Sequence, residues 1–196
     1  MNRRGQNLAG PLGGSGMVGR WGASSLIENI QYGTVALSGV TNATTTITSV
    51  DITRATVIHL GQSNNWSGGS GAQYSSAYVE LTNATTVKAV RNTVGGIDCN
   101  VNFAVIQFCP GILRSVQTGS VTINSGLTNT ATVTTVNTDK SLLIYLGLQS
   151  NAAVDGTGYE RLSLTNATTI AGTRHDTTGG GIPTVTFRSE EHTSEL

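Results

Sequence analysis

Charge is scarce in this chain. Asp, Glu, Lys and Arg make up 11% of its 196 residues and sum to a formal net charge of zero, with Lys88 and Lys140 the only lysines. So neutral a surface lacks the basic patch that nucleic acid requires. Long apolar runs are missing as well: none approaches the ~20 residues that cross a bilayer as a helix. Arg3 and Arg4 are followed by Gly-rich sequence instead of the apolar stretch of a secretory signal. Neither nucleic acid nor membrane is therefore expected as a partner. Cys99 and Cys109 are the only cysteines, and they flank one predicted strand. Extended, that stretch spans roughly 33 Å, whereas a disulfide needs Cα atoms within about 7 Å. Both are expected to be reduced thiols of a protein made in a cytoplasm.

Catalytic constellations are absent from the pattern too. Before residue 188, acidic residues stand singly, without a carboxylate pair spaced for acid–base work. Gly14, Gly16 and Gly19 satisfy G-x-G-x-x-G, but no strand precedes them and no βαβ unit follows, so the run reads as an arm. His59 has Tyr145 as its counterpart in the repeat described below, and His175 has no second ligand at metal spacing. The expectation is a protein that is not an enzyme and needs no cofactor or metal.

What is abundant is Thr, Ser, Asn and Gly. Branched Thr suits a pleated strand, while Gly, Asn and Ser populate turns. The chain also repeats itself. Leu-Thr-Asn-Ala-Thr-Thr occurs at Leu81–Thr86 and again at Leu164–Thr169. QYGTVAL at Gln31–Leu37 answers QTGSVTI at Gln117–Ile123, and VIHLG at Val57–Gly61 answers LIYLG at Leu143–Gly147. A duplication of this length predicts two small units, each with its own core. Short alternating strands between Gly/Asn/Ser turns predict an antiparallel sandwich for each. In the first copy they are Ile30–Leu37, Thr45–Ile52, Thr56–Gly61, Ala77–Thr82, Thr85–Arg91 and Asn100–Phe108. The fold class expected is all-β: two tandem antiparallel β-sandwich domains of about six strands each. Residues 1–28 would be a flexible Gly-rich arm, 29–109 the first sandwich, 110–115 a linker and 116–187 the second sandwich, truncated in its last strand.

Residues 188–196, RSEEHTSEL, bring three Glu into a Glu-poor chain at the place where a strand should continue. The codons AGA TCG GAA GAG CAC ACG TCT GAA CTC, the start of a widely used sequencing adapter, translate to this peptide. The expectation is a non-native tail, with Glu190, Glu191 and His192 set aside from functional reasoning. Without it, 10 basic residues face 8 acidic ones, a formal charge of +2.

Two groups of residues are candidates for contact. The stretch Gln62–Ser76, QSNNWSGGSGAQYSS, sets Trp66 and Tyr74 in an adaptable frame with Asn64 and Asn65. Aromatic faces and amides are what sugar binding uses, so these four are the candidate glycan contacts. Arg54 and Lys140, and Arg91 and Arg174, are basic pairs kept in both copies. They are expected to cap carbonyls, pair with neighbouring acids or contact another subunit.

The strings IQYGTVAL at Ile30–Leu37, VELTNATTVKAVR at Val79–Arg91 and VNFAVIQF at Val101–Phe108 resemble repeat domains of virion and tail proteins of tailed bacteriophages. That resemblance covers about residues 29–187. It implies a tail or capsid-surface component, located in the virion, that forms homo-oligomers and meets other virion proteins. A looser similarity is to the H-type lectin sandwich, which has six antiparallel strands, an early Gln-x-Gly and a late aromatic strand, and is trimeric. It implies a cell-surface glycan as ligand, but its sugar-binding Trp positions are not matched here, so no binding residue is carried over. The expected role is a structural virion component of tail-fibre or surface-decoration type, with a carbohydrate-binding module as the alternative.

Overall fold

The structure is a computed structural model that describes residues 26–65, 72–94, 96–124, 126–151, 160–175 and 181–193. The first copy contributes β1 (Ile27–Leu37), β2 (Asn42–Thr46), β3 (Ala55–Asn64), the one-turn helix α1 (Ala72–Ser75), β4 (Ala77–Asn83), β5 (Thr86–Arg91) and β6 (Cys99–Phe108). The second contributes β7 (Leu113–Thr122), β8 (Thr128–Thr132), β9 (Ser141–Gln149), β10 (Glu160–Asn166), β11 (Thr169–Arg174) and β12 (Thr184–His192). The protein is all-β, and every strand pair is antiparallel. No helix among the described residues is long and apolar enough to cross a membrane.

Each copy builds its sheets in the same order. β6 lies between β1 and β3, as β12 lies between β7 and β9; β5 lies between β2 and β4, as β11 lies between β8 and β10. The sheets do not stay apart, however. Tyr78 of β4 pairs with Gly147 of β9, so the chain forms two three-stranded sheets and one six-stranded sheet, β2–β5–β4–β9–β12–β7. The expectation of two units with separate cores is met only in part.

The duplicated motifs have identifiable physical work. In β1 the Gln31 amide donates to the Thr48 carbonyl at 2.9 Å and accepts from the Thr48 amide at 2.7 Å. Gln117 does the same with Thr134 at 2.9 and 2.6 Å. The shared hexapeptide is a hairpin: Asn83 Oδ1 accepts from the Thr85 amide, and Asn166 Oδ1 from the Thr168 amide, both at 2.9 Å. The carbonyls of that hairpin receive the amides of Ile47 and Val50 in one copy and of Val133 and Val136 in the other. That explains a misplaced strand. Thr45–Ile52 reads as one run, but the strand is Asn42–Thr46, because from Ile47 onward the backbone bonds to a turn and to Gln31 instead of a ladder.

Two glycines are obligatory for a different reason. Gly33 pairs with Phe103 across the sheet, and a Cβ there would stand 2.5 Å from the ring; at Gly119 it would stand 2.8 Å from the ring of Phe187. In each copy a phenylalanine lies over a cross-strand glycine, covering backbone that would otherwise meet water. The linker is shorter than 110–115, since β7 already begins at Leu113. Cys99 and Cys109 lie at opposite ends of β6 and are not disulfide-bonded.

Beyond Phe187 the chain continues as strand. Arg188–Glu191 pair with both β7 and β9, and His192 with β7 alone, in the register that Ala104–Gln107 hold between β1 and β3 and Phe108 holds with β1. Their side chains are buried, Glu190 completely.

Candidate functional site

The glycan candidates are dispersed in function. Asn64 is the last residue of β3, opposite Cys99, and is exposed. Asn65 is engaged with Asp98: its Oδ1 accepts from the Asp98 amide at 3.0 Å, and its own amide donates to the Asp98 carbonyl at 3.3 Å. Tyr74 is half-buried in α1, which packs against β3 and β5, and its carbonyl accepts from Arg91 at 3.1 Å. Trp66 lies outside the described residues.

Three of the four basic candidates serve the backbone. Arg91, 1% exposed, donates to the carbonyls of Val40 (2.9 Å), Tyr74 (3.1 Å) and Ile97 (2.5 Å). Arg174 repeats the arrangement with Gly126 (3.0 Å), Gly181 (2.6 Å) and Asn124 (3.1 Å). A guanidinium suits this position because its fixed fork of donors can serve several carbonyls at once. Arg54 bonds Asp51 at 2.9 Å and the Phe108 carbonyl at 2.7 Å, and pairs with Glu28. The Thr53 hydroxyl and amide, then Arg54, hold the Asp51 carboxyl below its ordinary range. Lys140 is half-buried at the end of a single 3-10 turn capped by Asn137.

The most distinctive feature is the junction between the copies. β9, SLLIYLGLQ, is apolar on both faces, and each face serves a different core. Leu143 and Leu148 pack with Val121, Ile123 and Phe187 of the second copy. Ile144 and Leu146 pack with Val57, Val79 and Phe103 of the first. Gly147, at φ +114°, makes this approach possible: a side chain there would collide with the Ala77 carbonyl and stand 2.6 Å from Tyr78 Cα. Next to it Tyr145 and His59, equivalent residues of the two copies, meet edge to face at 6.3 Å between ring centroids. His59 Nδ1 accepts from the Gly61 amide at 3.1 Å, and burial pushes its pKa down. Above the junction lies a cleft between the copies, lined by Tyr78, Glu80 and Leu81 on one side and Thr118, Thr186 and Arg188 on the other.

The signal for this junction was in the sequence. A strand buried on both faces reads as a continuous apolar run, without alternation, and LLIYLGL is such a run. Read as one sheet face, it hides its second partner. No family model matches the chain, and no curated protein and no solved structure matches it either.

Proposed function

We propose that the chain is a structural component of a virion, of tail-fibre or surface-decoration type. It would be built of two tandem β-sandwich modules and act by assembly and by presenting its surface. The observation that carries this reading is β9, a single strand that completes the core of one module and the core of its neighbour. Modules joined through a shared strand transmit position along an array, because each contacts its neighbour through packed side chains instead of a tether. A surface rich in Thr, Ser and Asn, neutral overall, suits an array exposed to solvent.

Long-read sequencing of the source DNA around this gene tests the reading. Neighbouring genes for capsid or tail parts are expected; metabolic or secretory neighbours would overturn it. A glycan array is the complementary measurement. Binding abolished by Trp66→Ala would replace the assembly role with carbohydrate recognition by the segment that also holds Asn64, Asn65 and Tyr74.

A further inference from the structure

Among the described residues, both halves of the junction occur a second time, unfilled. Strand β3 is the twin of β9, and Leu60 and Gly61 stand where Leu146 and Gly147 stand. Leu146 is 2% exposed, buried in the first copy's core; Leu60 is 52% exposed. A side chain added at Gly61, at φ +112°, would meet nothing within 4 Å, whereas Gly147 is pressed against the backbone of β4.

The receiving side is duplicated as well. Where β9 docks, Val57, Ala77 and Val79 are at most 2% exposed. Their counterparts Leu143, Glu160 and Leu162 are only half-buried, and with Tyr145 and Leu164 they line an open cleft along β10. The exchange of Ala77 and Tyr78 for Glu160 and Arg161 leaves the key contact intact in kind, because Gly147 touches the carbonyl of one and the Cα of the other.

We propose that a second copy of this chain fills these places, its β3 seating Leu60 and Gly61 against β10 as β9 seats Leu146 and Gly147 against β4. The inference names the partner in the assembly role above and rests on that reading for its purpose; its geometry comes from the junction. Each chain carries one donor edge and one different acceptor edge, so the contact is heterologous. Chains join head to tail, as rings where the rotation closes and as filaments where it does not. An exposed strand edge bearing an apolar side chain is the surface that such pairing consumes.

Sedimentation velocity on the full chain over a concentration series tests this with two variants. Leu60→Glu blocks the donor edge, and Ser163→Arg, in the cleft wall, blocks the acceptor. Exposed substitutions of this kind leave stability nearly unchanged, and circular dichroism and thermal melting of each variant verify the fold. The wild-type chain is expected to form species that grow with concentration. Leu60→Glu should associate at least about 10-fold more weakly, the lower end of what losing one buried leucine does, and Ser163→Arg, which sets a bulky charge in the same contact, by a comparable factor. An equimolar mixture of the two should stop at a two-chain species, because one usable edge of each kind remains. A wild-type chain monomeric throughout would overturn the proposal, as would variants that associate like wild type, or a mixture that fails to pair. A monomer beside capsid or tail genes would remove this interface and leave the virion reading standing; an assembling chain beside metabolic genes would do the reverse.

Discussion

The two repeats complete their sheets with equivalent central strands and fill the end of each with opposite chemistry. β6 ends Ala104-Val105-Ile106-Gln107-Phe108; β12 ends Arg188-Ser189-Glu190-Glu191-His192, held between equivalent neighbours. Val105 is 1% exposed and belongs to an apolar core. Ser189 and Glu190 are as deeply buried, and Glu190 meets Arg188 at 2.6 Å. Among the described residues, Ser189 Oγ, Glu190 Oε2 and both ring nitrogens of His192 are buried without a hydrogen-bond partner. Burying charge and polar groups costs more than one ion pair returns. The comparison separates two things that usually go together. Ladder, turn and glycine–phenylalanine contact place the strand, whereas its last residues decide how stable the second repeat is.

Making the strands alike should have the largest effect. Replacing Arg188, Ser189, Glu190, Glu191 and His192 by the first repeat's Ala, Val, Ile, Gln and Phe is expected to stabilise the second repeat by about 5 kcal/mol in urea unfolding. No gain would mean that those positions are not buried. Arg91→Ala and Arg174→Ala should each cost about 3 kcal/mol, since each leaves three carbonyls without their donor. Near-equal losses are the expected result; a negligible loss for either would break the equivalence of the repeats. Gly33→Ala and Gly119→Ala, which press a methyl into a phenylalanine ring, should each cost about 2 kcal/mol, with Gly33 the more costly. Thermal melting reads that order directly.

The smallest effect depends on pH. Burial pushes the Glu160 carboxyl up to about 7, against smaller opposing pulls from its own backbone amide and Arg174. Tyr145 also faces it, and its hydroxyl is pushed upward, first by burial and then by that carboxylate. The folded state therefore holds a proton that the unfolded chain releases near 4.5, so stability should fall as pH rises from about 4.5 to 7. For so partly exposed a group the loss is about 1 kcal/mol. Glu160→Gln should flatten that part of the stability–pH curve; an unchanged slope would assign it to another group.

Much of this architecture was legible in the residues. Period-two alternation placed five of the first copy's six strands close to their observed bounds. The exact recurrence of Leu-Thr-Asn-Ala-Thr-Thr marked a turn whose side chains and carbonyls both carry bonds. Arg91 and Arg174 stood out as a kept pair, although two of the three carbonyls that each serves lie at least 17 residues away in sequence, which no local pattern reveals. The join between the copies escaped because an apolar run does not say how many cores it feeds. Leu60 and Leu146 look alike in sequence, and only the fold shows that one is covered and the other open.

The two cores stand or fall on the shared strand, and hydrogen exchange on Leu146→Ala reads its contribution to both. Removing that side chain should cost about 2–5 kcal/mol, as buried leucines do. If β9 completes the first copy's core, slow amides of β5 and β6 near Val87 and Phe103 should lose protection although they lie in the other repeat. Loss confined to β7–β12, with β5 and β6 as protected as in the unaltered chain, would mean that β9 serves the second copy's core alone.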